Sequence, residues 1–159
     1  ATANPAYAAA MSTPFVPDDY EVPVRFDGPG FHLEPLGPQH NERDYEAWMS
    51  SIEHIHATPG FPDPDDGWPS PMSLEENNGD LVAHARHFAE RLGFTYSILD
   101  GEQVIGCVYI YPSSDPEYHA TVSSWVTASR ATLDRVVWET LTEWLGSWPF
   151  PSFHYDPRD

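Results

Sequence analysis

Apolar and polar side chains alternate over residues 31–36 and the alternation stops at Gly37 and Pro38, which predicts a short strand. From residue 41 the period lengthens. Tyr45, Trp48, Met49, Ile52 and Ile55 recur at helical spacing, with Asn41 placed as N-cap and Glu42 and Asp44 in the first turn, where the helix dipole favours acids. Thr58, Pro59 and Gly60 end that helix. A second is expected from Ser73, with Glu75 and Glu76 in its first turn. Leu74, Leu81, Ala85, Phe88 and Leu92 form its apolar side, and Gly93 closes it. Two apolar runs, residues 94–99 and 103–111, then flank Asp100, Gly101 and Glu102, a hairpin signal. Residues 119–126 continue the meander. A third helix starts at Ser129 or Thr132, presents Leu133, Val136, Val137, Leu141, Trp144 and Leu145 on one face, and ends at Gly146. Residues 153–155 form a last short strand.

Two segments fall outside these periods. Residues 1–30 carry Pro5, Pro14, Pro17, Pro23 and Pro29 and are expected to form an extended arm, with Phe15, Val16, Tyr20 and Val22 packing on the body. The domain proper then spans 31–159. Residues 59–72 hold five prolines and Asp63, Asp65 and Asp66, interrupted by Phe61 and Trp68; connectors this long often serve as lids or binding loops. The two aromatics are expected to anchor it over the body. The whole order predicts an α+β fold: a mainly antiparallel sheet flanked by about three helices, ending after the fifth strand.

Composition narrows the function more than the fold. Seven basic residues, all arginine, oppose 25 Asp and Glu, for a formal charge of -18. Such a charge repels nucleic-acid phosphates and anionic lipid, so neither partner is expected. Cys107 is the sole cysteine, which excludes an internal disulfide and a four-cysteine metal site. No metal is assigned. Residues 1–10 are small and neutral, without the basic and apolar regions of a secretory signal, so a cytoplasmic location is expected.

The chain resembles the GNAT N-acetyltransferase family over residues 31–155. The strand at 31–36, residues 96–99, the central Val104-Ile105-Gly106-Cys107-Val108-Tyr109 and the Ser124-Trp125-Val126 strand leading into the 133–145 helix carry the resemblance. It implies a GNAT-like acyltransferase moving an acyl group from acyl-CoA to a small amine, with Trp125, Val126, Thr127, Arg130 and Arg135 as cofactor contacts. The family's glycine-rich pyrophosphate loop is missing: residues 127–135 contain no glycine, and Asp134 puts a carboxylate in the first helical turn. The family's later helix and strands, with the tyrosine that protonates the leaving thiolate, have no counterpart either. The alternative is a non-catalytic protein of this fold that binds a small molecule or a protein partner.

Several side chains are candidates for that chemistry, each with a plainer role beside it. His119 opens the strand on which the family often places a general base, and is otherwise an exposed strand-edge imidazole. Tyr109 and Tyr111 share one strand face and line an acceptor pocket or simply pack; Tyr109 is taken with His119 as catalytic. His56, beside the proline-rich loop, and Trp68 within it are candidate substrate contacts along with Tyr111; the plainer role of His56 is to meet the negative end of its helix. His84, His87 and Glu90 share a helical stripe with metal-ligand spacing, but solvated surface is favoured for them. Cys107 is expected to be a buried small hydrophobe. An open sheet edge at residues 153–155 beside Trp148, Phe150 and Phe153 predicts a homodimer, or cover by residues 15–24 of the arm.

Overall fold

The computed structural model describes residues 13–62 and 67–156. Six strands form one sheet in the order β1 to β6: β1 Phe26–Gly28, β2 Phe31–Pro35, β3 Phe94–Asp100, β4 Gln103–Pro112, β5 Ala120–Val126 and β6 Phe153–Tyr155. All neighbours are antiparallel except β5 and β6, which run parallel through Ala120↔Phe153, Thr121↔His154 and Val122↔Tyr155. Between β2 and β3 lie α1 Asn41–Met49, α2 Ile52–His56 and α3 Leu74–Ala89; α4 Asp134–Leu145 follows β5 through a 3-10 turn over Ala128–Leu133.

The sheet is therefore the expected α+β layer with one strand more. β1 lies inside the segment assigned to the arm, pairing Phe26 with Leu33. The first helix breaks in two at Ser50 and Ser51, because both hydroxyls turn inward: Ser50 Oγ donates to Ala47 O at 2.7 Å, and Ser51 Oγ accepts from the Ala128 N–H at 2.9 Å. Asn41 is the first helical residue of α1, not its cap; its amide donates to Leu74 O on α3. Ser73 caps α3 with a complete capping box to Glu76, as its sequence predicts. At the other end Arg91, not Gly93, takes the left-handed turn (φ 60). Leu74 and Leu92 are exposed, so the apolar side of α3 is narrower than its leucines imply. Gly106 is required by contact: a Cβ there would run into the Trp125 carbonyl on β5.

Two cores sandwich the sheet. On one face Val137, Leu141 and Leu145 of α4 meet Ile98, Ile110, Val122 and Val126, with Phe15 and Val16 of the arm sealing the side. The arm is held by main-chain acceptors: Arg91 donates to Pro17 O and Tyr20 O, and Tyr96 to Pro23 O at 2.6 Å. Phe15 stacks on Phe150 at 5.0 Å and Tyr20 lies against Trp148, which is 4 % exposed. The aromatic patch expected to drive dimerisation is thus covered within the chain. The opposite face packs Trp48, Ile55, Leu81, Cys107 and Trp125 beneath α1, α2 and α3. Among the described residues no helix is long and apolar enough to cross a membrane.

Candidate active site

A cavity of about 270 Å³ opens on the α1–α3 face, lined by Leu36, Asp44, Phe61, Trp68, Asn77, Asp80, Leu81, His84, Tyr109 and Ser123. Helical phase builds its floor. Asn41, Asp44 and Trp48 fall on one side of α1, and Asn77, Leu81 and His84 on the facing side of α3. Asn77 joins them: its Oδ1 accepts from Trp48 Nε1 (3.1 Å), while its Nδ2 donates to Asn41 Oδ1 (2.9 Å) and Asp44 Oδ2 (3.1 Å).

Asp44 is the decisive group. It is 4 % exposed, and no arginine pairs with it among the described residues. Burial pushes its carboxyl up to about 6, partly countered by the Asn77 hydrogen bond and reinforced by the nearby charge of Asp80. A carboxylate kept in an apolar wall with so little compensation is poised for a cationic partner.

The roof is aromatic. Trp68 contacts Trp48 (5.5 Å), Trp125 (5.9 Å), Phe61 (6.0 Å) and Tyr109 (6.4 Å between centroids). It anchors the proline-rich loop as the sequence predicts. His56 fastens the same loop from below, Nδ1 lying 3.0 Å from Phe61 O and Nε2 2.7 Å from Pro69 O. It positions the roof and does not line the cavity. Asp63, Asp65 and Asp66 lie outside the described residues.

Tyr109 does reach the cavity. Its hydroxyl accepts from Trp125 Nε1 at 3.0 Å, and burial holds it well above its ordinary pKa, a neutral phenol at neutral pH. Tyr111 stands behind the wall, its Oη 3.0 Å from both His84 Nδ1 and His87 Nδ1. Thr95 Oγ1 approaches His84 Nδ1 at the same distance. Burial holds the His84 imidazole below its ordinary pKa, so it stays neutral at neutral pH. His84 and His87 therefore belong to a hydroxyl network and not to the solvated surface expected of them; Glu90 alone keeps that place. Cys107 is buried as expected, its thiol pushed up by burial.

His119 is not brought to this cluster. Its Nε2 donates to Phe15 O at 2.6 Å and its ring packs against both Phe15 and Phe150, where it secures the arm. The sequence reading misses Asp44, Asn77 and Asp80. An acid in the first helical turn is explained by the helix dipole, whereas the packing of α3 on α1 buries Asp44 against Asn77.

The loop expected to meet an acyl-CoA is occupied by its own protein. The Thr127 N–H donates to Ile105 O, the Ala128 N–H to Ser51 Oγ, and the Arg130 N–H to Thr127 O. Arg130 is fastened to Asp100 (2.9 Å) and Gln103, and Arg135 to Glu139 (2.8 Å). Trp125 and Val126 are buried on opposite faces of β5. Beyond Val122 the register of β5 with β6 ends, and Ser124 Oγ meets Tyr155 Oη at 2.6 Å. Three of the loop's amides and both its guanidinium groups are engaged in this structure, and Glu46 and Glu53 lie nearby.

The fold recurs in solved structures. A ribosomal-protein-S5-alanine acetyltransferase from Vibrio fischeri superposes with a TM-score of 0.57 at 13 % identity, over 79 % of this chain and 69 % of its own. The fold is that of the GNAT acetyltransferases. An acetyltransferase from Salmonella typhimurium that modifies the N-terminal serine of the 50S ribosomal subunit protein L7/L12 gives 0.55 at 12 % identity, over 79 % of this chain and 65 % of its own. The microcin C7 self-immunity acetyltransferase MccE, solved with acetyl-CoA and AMP, gives 0.56 at 10 % identity, over 78 % and 64 %. This GNAT-fold chain thus spans about two thirds of the length of these neighbours. No family model matches it, and no curated protein does either.

Proposed function

We propose that the protein binds a small amine in the Trp68-roofed cavity, as the acceptor subsite of an N-acyltransferase. The observation that supports this most is the buried Asp44 carboxylate, which a bound ammonium would neutralise by a hydrogen-bonded ion pair away from water. Asp44 and His84 take the acid–base place that His119 held on sequence grounds; a neutral imidazole in contact with Tyr111 and Thr95 is a suitable proton acceptor for the amine. Tyr109 offers a neutral phenol on the same wall. The likeness to acetyltransferases supports an acyltransferase role in general.

A second reading, amine binding without transfer, is favoured by the filled loop at residues 127–135. The two separate cleanly. The protein is incubated with an amine panel and acetyl-CoA or longer acyl-CoAs, binding is followed by calorimetry, and products by mass spectrometry. An acylated amine whose formation depends on His84 supports transfer. Amine binding without product from any donor leaves the binding function alone. No heat with any amine at millimolar concentration removes both.

A further inference from the structure

We propose that the cavity selects a monocationic amine carried on a flat apolar body of about nine non-hydrogen atoms, in preference to diamines and polyamines. This rests on the amine-binding reading above and adds the class of amine.

Size comes first. A space of about 270 Å³ corresponds to about nine waters at roughly 30 Å³ each. That excludes a peptide or a protein terminus with its neighbouring residues from full enclosure and matches a compact molecule.

Charge comes next. Among the described lining residues the carboxylates are Asp44 and Asp80, and they differ sharply in setting. Asp44 is buried on the floor, whereas Asp80 is exposed at the rim. An ion pair with Asp44 forms in a dry site where an unmet charge is costly. One with Asp80 forms in water, where such pairs add little. A second ammonium at the rim therefore gains little, and one drawn between the apolar walls loses its hydration without a buried carboxylate among the described residues to meet it. A single ammonium is matched.

The walls complete the argument. Between floor and rim the ligand meets Leu36, Leu81, Phe61, Trp68 and Tyr109. These surfaces reward apolar area, and the tilted faces of Phe61, Trp68 and Tyr109 suit an aromatic ring and the cation beside it. A hydrogen bond to Asp44 requires an N–H, so a quaternary ammonium loses that contact while keeping its charge.

Calorimetry on the full chain with 2-phenylethylamine, putrescine and trimethyl(2-phenylethyl)ammonium tests this. The expected order is 2-phenylethylamine at least tenfold tighter than either of the others. Trp68→Leu should weaken 2-phenylethylamine about tenfold while changing n-butylamine less. Putrescine binding as tightly as 2-phenylethylamine overturns the selection and leaves the amine site standing. Tight binding of the quaternary compound overturns the hydrogen-bonded ion pair. If none of the amines binds while the melting transition shows a folded protein, the amine-binding reading fails as well.

Discussion

On the α4 face of the sheet Ile110, Val122, Val137 and Leu141 close on one another without a buried carboxylate or imidazole among the described residues. On the α1–α3 face the same sheet buries His40, Asp44, Asn77, Thr95 and Ser97, and leaves a cavity beside them. The first face is mainly apolar, its buried Ser124 hydroxyl bonded to Tyr155. The other carries polar groups that an apolar core would do better without. Most of them are satisfied: His40 Nδ1 lies 3.0 Å from Ser97 Oγ, and Asn77 makes three side-chain bonds. Asp44 accepts from Asn77 but has no cationic partner among the described residues, and burial raises its carboxyl. A rise from 3.8 to about 6 corresponds to about 3 kcal/mol of folding free energy lost at neutral pH. That imbalance is the ground on which we propose the site here.

The comparison breaks first on the closed face. Leu141→Ala should cost about 2–5 kcal/mol through the cavity it leaves and shift amine affinity less than threefold. Urea denaturation and calorimetry on the same variant check both. If amine binding collapses along with stability, the faces are not separable.

Asp44→Asn should do the reverse. It keeps the shape and the hydrogen bond from Asn77, removes the buried charge, and raises stability by about 2–3 kcal/mol at pH 7. Amine binding should fall by about a hundredfold. A destabilised variant that still binds amine would make Asp44 a structural residue.

The pH profile sharpens the same contrast. The folded state holds the Asp44 proton between about pH 4 and 6 while the unfolded chain does not, so this group makes stability fall as pH rises through that window and stay lower above it. Amine affinity runs the other way: level above about 6 and falling about tenfold per unit below it, because only the ionised carboxylate binds the cation. An affinity unchanged down to pH 5 contradicts the ion pair.

A smaller effect belongs to the roof. Trp68→Ala should weaken amine binding about tenfold through lost cation–π and apolar contact with a lesser drop in melting temperature. Equal losses would make Trp68 an ordinary core residue.

Much of this contrast could not be seen from the chain alone. Strands β2 to β6 and α4 are legible because period-2 runs and a 3.6-residue stripe coincide with clear stops at Gly101 and Gly146. Trp68 and Tyr109 are legible as large aromatics out of keeping with their neighbours. Asp44 is not, because an acid in a first helical turn has a sufficient local explanation, and only the packing of α3 against α1 shows that its side chain turns inward. His119 fails for the complementary reason: its partner Phe15 is 104 residues away in sequence, in an arm whose path no local pattern fixes. The break at Ser50 and Ser51 has the same origin, since Ser51 is held by Ala128, 77 residues on.

The most direct test is the titration of the Asp44 side-chain carboxyl by carbon-13 NMR, assigned with Asp44→Asn and repeated with saturating 2-phenylethylamine. A midpoint near 6 in the free protein that moves down when the amine binds is the predicted result. A midpoint near the ordinary aspartate value of about 4, unmoved by the amine, would mean that no poised carboxylate exists and that the cavity is not the site.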